Sequence, residues 1–232
     1  MQWYPQNKEE LNSLLDKFLK KSKIQKQKVH GLIVPHAGYD FSGAIAGKAF
    51  SLIKDNTLKK AVIVAPSHYA TFTGIASLNK IKTPLGEIKI IQNNYPKLEY
   101  EHAINNQIPF LQKLNPNIEI LPLIIGEINE KQAQEIAEEI SNINGIYIFS
   151  SDLSHFLPYS RAVEKDKQTI KIIENLDIKN WKKIDACGFY PLLIMMYLCK
   201  KRQWKPKLIE YKNSGDIIRD KTQVVGYASF SF

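Results

Sequence analysis

Five apolar runs of strand length constrain this chain most: VHGLIV (29–34), KAVIVA (60–65), EILPLII (119–125), IYIFS (146–150) and VVGYASFSF (224–232). They are continuous rather than alternating, so each strand must be covered on both faces, as in a mostly parallel sheet between two helical layers. Helical periodicity falls between them, at 8–20, 43–54, 99–114, 129–142, 162–175 and 187–200. The stretch 73–90 instead alternates around Pro84-Leu85-Gly86, which predicts an inserted hairpin. The expected fold class is α/β: one domain over residues 1–232, three-layer α/β/α, with a mostly parallel central sheet. A chain of 232 residues can bury such a core without disulfides.

Charge narrows the function classes. The net charge of +9 comes from 29 Lys and only 3 Arg. Arginine supplies the rigid fork that reads guanine edges and clamps phosphates, so this balance speaks for solubility and against nucleic acid. The densest run, KFLKKSKIQKQK (17–28), reads as a solvated helix end and linker, with a surface for an anionic partner as the alternative. The two cysteines, Cys187 and Cys199, form no CxxC, and MQWYPQNKEE has no apolar signal core. No apolar stretch reaches about 18 residues, the length of a membrane span. A cytoplasmic protein without membrane association is expected.

Three strands end in turns that carry ionisable side chains. GLIVPHAGY places His36 after the first run, VIVAPSHY places His68 after the second, and IFSSDLSH places Asp152 and His155 after the fourth. Parallel strands deliver their carboxyl ends to one sheet edge, where open α/β folds bind ligands. Three of the five histidines at one edge point to a metal or acid/base site. His102 opens the helix EYEHAINNQIPFLQ, off its apolar stripe, and Glu101 beside it is a first-turn carboxylate favoured by the helix dipole. Cys187 stands at the start of an apolar helix, where the dipole is expected to favour the thiolate; Cys199 reads as core. In NSGD (213–216) Gly215 is expected at positive φ, and Ser214 and Asp216 either belong to a turn or line a pocket. GxGxxG, GxxxxGK[ST] and GxSxG are absent.

Taken together, WYP (3–5), VPHAGYDFSG (34–43), APSHY (65–69), EHAINNQIPFLQ (101–112), LPLIIGE (121–127), SSDLSHF (151–156), CGFYP (187–191), NSGD (213–216) and VVGYAS (224–229) resemble the Memo family. Its bacterial and archaeal members are called AmmeMemoRadiSam system protein B, and the resemblance spans the chain. The family is similar in fold to class III extradiol dioxygenases, which hold Fe(II) with two histidines and a glutamate. The resemblance implies one metal ion per chain on His36, His68 and Cys187, iron first, with copper or zinc as alternatives. It implies His155 as acid/base, with Asp152 and His102 completing the pocket. Trp3 and Tyr4 match a WY pair in an animal relative that binds phosphotyrosine peptides. A radical SAM protein and an Ammecr-type protein are the partners implied. The function is then either a mononuclear metal oxidoreductase, dioxygenase-like, acting on an unidentified small molecule or peptide, or an adaptor that captures an anionic or phosphorylated peptide. Ala103, Asn105 and Phe189 depart from the family's serine, glutamate and arginine, which is expected to alter the polarity of the pocket wall.

Overall fold

A computed structural model describes residues 3–20, 29–53 and 58–232. Most of the lysine-rich run, from 21 to 28, and the end of the second expected helix lie outside the described residues. The strands are β1 (Gly31–Val34), β2 (Lys60–Pro66), β3 (Ile75–Leu78), β4 (Lys82–Thr83), β5 (Gly86–Glu87), β6 (Lys89–Ile90), β7 (Lys97–Leu98), β8 (Glu119–Ile125), β9 (Ile146–Ser150), β10 (Lys207–Asn213) and β11 (Gly226–Ser231). The α-helices are α1 (Lys8–Lys20), α2 (Ala44–Phe50), α3 (His102–Asn105), α4 (Ile108–Leu114), α5 (Glu130–Ile140), α6 (Tyr159–Glu174), α7 (Phe189–Arg202) and α8 (Gly215–Ile218).

Nine strands form one mixed sheet in the order β10-β11-β1-β9-β2-β8-β3-β7, with β6 beside β8. Its centre is parallel: β1 pairs β9, β9 pairs β2 and β2 pairs β8. The antiparallel partners β11 and β3 flank that centre. Along β2, Val62 and Val64 face the layer of α5, α6 and α7, while Ala61, Ile63 and Ala65 face α1, α2 and α4. Two-sided burial is why the central strands read as unbroken apolar runs. The α/β class and the three-layer arrangement are therefore as expected.

The inserted hairpin is β4–β5, antiparallel, with Gly86 at φ +122, where a side chain would be strained. Strand β10 lies outside the five apolar runs because KLIEYKN is a half-exposed edge whose charges mask its alternation. Gly215 is not at positive φ among the described residues; it opens α8, and Arg219 at the far end of that helix takes φ +63 instead.

The expected helix 99–114 is broken into α3 and α4 at Asn106-Gln107. Pro109 lacks the N–H that would reach back to residue 105, so the helix cannot run through. The break frees two side chains for the site. Asn106 Nδ2 donates to the His36 carbonyl (2.6 Å), and Gln107 Nε2 donates to the Pro35 carbonyl (3.1 Å) and to Ser150 Oγ (2.9 Å).

Candidate metal centre

Because β1, β9 and β2 are adjacent and parallel, the turns after them meet at one edge, and α3 arrives there from the connection that follows β7. His36, His68 and His102 converge, with ring centroids 5.1 Å apart for His36 and His68, 5.3 Å for His36 and His102, and 4.4 Å for His68 and His102. One ring nitrogen from each lies within 4.8 Å of the others, so the group could hold one metal ion. Imidazole nitrogens are borderline donors suited to iron, copper or zinc.

The proton on each ring is set by its neighbours. Ser150 Oγ has a single hydrogen, which it donates to the Ala103 carbonyl (2.7 Å), while it accepts from Gln107 Nε2. It can therefore only accept from His36 Nδ1, 2.9 Å away, so Nδ1 carries the proton and Nε2 is bare. Burial, then the neighbouring His68 and His102, hold the His36 pKa well below the usual imidazole range, so the ring is neutral. A neutral imidazole with its second nitrogen fixed by a hydrogen bond is the form a metal ligand requires.

Glu101 does the same for the other two rings. It is fully buried at the N-cap of α3, where one oxygen, Oε1, accepts from Ala103 N (3.0 Å) and from His68 Nδ1 (2.9 Å). Its other oxygen, Oε2, accepts from His68 N (2.7 Å). His102 Nδ1 lies 3.1 Å from Oε1, in contact though poorly aligned for a hydrogen bond. Burial alone raises the Glu101 pKa, but His102, His68 and the two backbone N–H groups outweigh it and hold the carboxyl down to about 2. The far face of His102 is supported by Trp3, stacked at 4.1 Å with the planes 9° apart.

Cys187 Sγ lies 3.1 Å from the bare His36 Nε2 and accepts from Asp152 N (3.2 Å). Gly188 permits this approach, since a Cβ there would meet Ser151 Cβ at 2.4 Å and the Ser150 carbonyl at 2.8 Å. Burial, and after it the Asp152 carboxyl, push the Cys187 thiol pKa up, against the direction in which the helix start acts. Asp152 Oδ1 accepts from His36 N (2.8 Å), and burial raises its pKa in turn.

A cavity of about 860 Å³ opens over the histidines and is lined by Trp3, Tyr4, His36, His68, His102, Asp152 and His155, among others. His155 is half-buried, with Phe156 edge-on at 5.7 Å. Cys187 lines a separate groove of about 260 Å³ beside Ser67 and Tyr190, so its sulfur meets His36 Nε2 from outside the main cavity. Ser214 and Asp216 stay in their own turn: Ser214 Oγ accepts from Val225 N (3.1 Å), and Asp216 accepts from Asn213 N (3.0 Å) and Tyr159 Oη (2.7 Å). Neither lines the cavity.

None of Ala103, Asn105 and Phe189 lines the cavity. Ala103 is core, and Phe189 packs on Trp181 at 4.6 Å. Ser150, Gln107 and the bridging role of Glu101 were missed in the sequence. Only Glu101 carried a local signal, its place in the first turn beside His102.

The profile of the family described as Memo-like protein matches residues 2–231. The chain is similar to MEMO1 family proteins. The one from Archaeoglobus fulgidus is 33% identical over 255 residues, covering 99% of this chain and 96% of that protein. The one from Sulfurisphaera tokodaii is 34% identical over 241 residues, covering 90% and 85%. The Thermoplasma acidophilum protein Ta0237 is 32% identical, covering 98% and 94%.

Proposed function

The chain belongs to the Memo-like family, and from that premise we propose that it is a mononuclear metal oxidoreductase whose substrate enters the cavity over the histidines. The observation that carries this reading is the fixed tautomer of His36, bare at Nε2 beside the Cys187 sulfur and the rings of His68 and His102. The donors fit iron, with copper or zinc as alternatives. His36, His68 and His102 would hold the ion, with Cys187 as a sulfur donor beside His36 Nε2. Bound there, iron supplies Lewis acidity and one-electron redox chemistry.

The chain's own residues do the rest. Glu101 and Ser150 hold the His68 and His36 rings in one orientation and keep their Nδ1 protons in place, while Trp3 stacks on His102. Asp152 anchors the His36 backbone through Oδ1. His155, half-buried in the cavity wall, would give or take a proton at a bound substrate. Trp3 and Tyr4 exclude water from one side of the cavity.

Metal analysis of anaerobically purified protein should find about one iron per chain, and nitric oxide added to it should give an electron paramagnetic resonance signal. Redox metal well below one per chain after iron reconstitution would sink the reading. The adaptor reading draws on Trp3 and Tyr4 in the cavity wall. It would be favoured by peptide binding that survives loss of the metal.

A further inference from the structure

The cavity is chemically one-sided. The chain has 32 Lys and Arg against 23 Asp and Glu, yet among the described residues none of the cations lines the cavity. Glu10, Asp40 and Asp152 do. Glu10 and Asp40 are exposed, and neither carboxylate has a cationic partner among the described residues. In a chain with so many lysines, two carboxylates left unpaired at a cavity wall make its charged lining acidic where the protein as a whole is basic.

The second observation concerns the wall itself. Trp3, Tyr4, Phe41 and Phe156 contribute aromatic surface to the same cavity. Phe156 is 67% exposed and sits at φ +56, a backbone conformation rarely adopted by residues other than glycine. Its position is over-determined by the pairing of Leu157 with Val224 and by the Gly226 N–H bond to the Ser154 carbonyl (2.9 Å). An apolar ring held open to solvent at a cavity mouth is surface that a ligand would cover. Aromatic faces beside carboxylates suit a positive group, which gains from both the ring quadrupole and the charge. Away from the metal centre, an anion would meet Glu10 and Asp40, with no lysine or arginine of the described residues in the wall to offset them.

We propose that the cavity selects an organic cation, an amine or guanidine carried on an aromatic or apolar body; this rests on reading the cavity as the substrate site of the metal centre. The test is isothermal titration of the full chain with 2-phenylethylamine, 3-phenylpropionate and phenyl phosphate, with metal content measured on the same samples. The E10Q/D40N double variant is titrated alongside; both positions are exposed and tolerate the change. The amine should bind, weaken as salt is raised, and lose affinity about tenfold in the double variant. The two anions should bind at least about tenfold more weakly than the amine. Phenyl phosphate or phenylpropionate binding as tightly as the amine would overturn the inference, as would amine binding unchanged in the double variant. A chain that holds one metal but prefers an anion sinks this inference and leaves the metal reading standing. A chain without metal that prefers the amine does the reverse.

Discussion

Glu101 Oε1 lies 2.9 Å from His68 Nδ1 and 3.1 Å from His102 Nδ1, so one buried carboxylate orients two of the three converging imidazoles. Its charge is kept by those rings and by backbone N–H groups, despite burial that acts the other way. This makes Glu101 the residue on which the geometry of the candidate centre most depends.

Glu101→Gln should lower metal affinity by about 10- to 100-fold, the usual cost of losing a partner behind a metal ligand. The amide preserves an acceptor for part of the network but removes the charge that favours the Nδ1 protons. Competition titration with a chelator measures it. Ser150→Ala should act in the same direction through His36. It should also destabilise by about 1–3 kcal/mol, since the buried Gln107 and His36 donors lose an acceptor.

Gly188→Ala should separate Cys187 from His36. The new Cβ would meet Ser151 Cβ at 2.4 Å, and the turn must move to relieve it. Overpacking of this kind costs about 1–3 kcal/mol in denaturant unfolding. Reaction of Cys187 with a thiol reagent should speed up as the sulfur leaves its buried contacts with His36 Nε2 and Asp152 N. Unaltered stability and reactivity would mean that the close approach is not needed.

His155→Ala should leave metal content within about twofold of the wild type while reducing turnover by about 10²- to 10⁴-fold, the range of a lost general acid or base. His36→Ala should remove the metal. Equal loss of metal in both variants would place His155 among the ligands instead.

Asp166 gives a pH dependence away from the centre. Its carboxyl is buried and accepts from Ser154 N (3.0 Å) and Tyr211 Oη (2.8 Å), yet burial outweighs these bonds and raises its pKa above 3.8. A carboxyl raised on folding binds its proton more tightly in the native state. Its stabilisation is complete below the unfolded pKa and is lost as pH rises through the raised value. Melting temperature should therefore fall less steeply in Asp166→Asn than in the wild type from about pH 4 upward. Parallel curves for the two proteins would refute the assignment.

The elements legible in the sequence were those whose pattern is local. IYIFS at 146–150 and KEELNSLLDKFLK at 8–20 match β9 and α1 residue for residue, because burial on two faces or on one stripe writes a period into the chain. Helix 99–114 failed at Pro109, where a missing N–H broke a pattern that apolar spacing alone would continue. Strand β10 failed because an edge half-open to water need not alternate cleanly.

At the candidate centre, sequence alone determined that the His36, His68 and Asp152-to-His155 turns would share one edge, since parallel strands must end together. Tertiary structure decided the rest. Spacing showed His102 only as a residue off the apolar stripe of its helix, and the family resemblance put it in the pocket; the packing of α3 between Trp3 and the His68 turn sets its ring against those of His36 and His68. Cys187 stands at a helix start, which favours a thiolate, and only the fold shows the burial that pushes its pKa the other way. The identity of the proton-bearing nitrogen on His36 follows from Ser150, Gln107 and Ala103, which lie 43 to 47 positions apart across the Ser150 contacts. Desolvation and hydrogen-bond partnership are properties of distances in space, and segments remote in sequence acquire those distances only when the sheet and its covering helices are assembled.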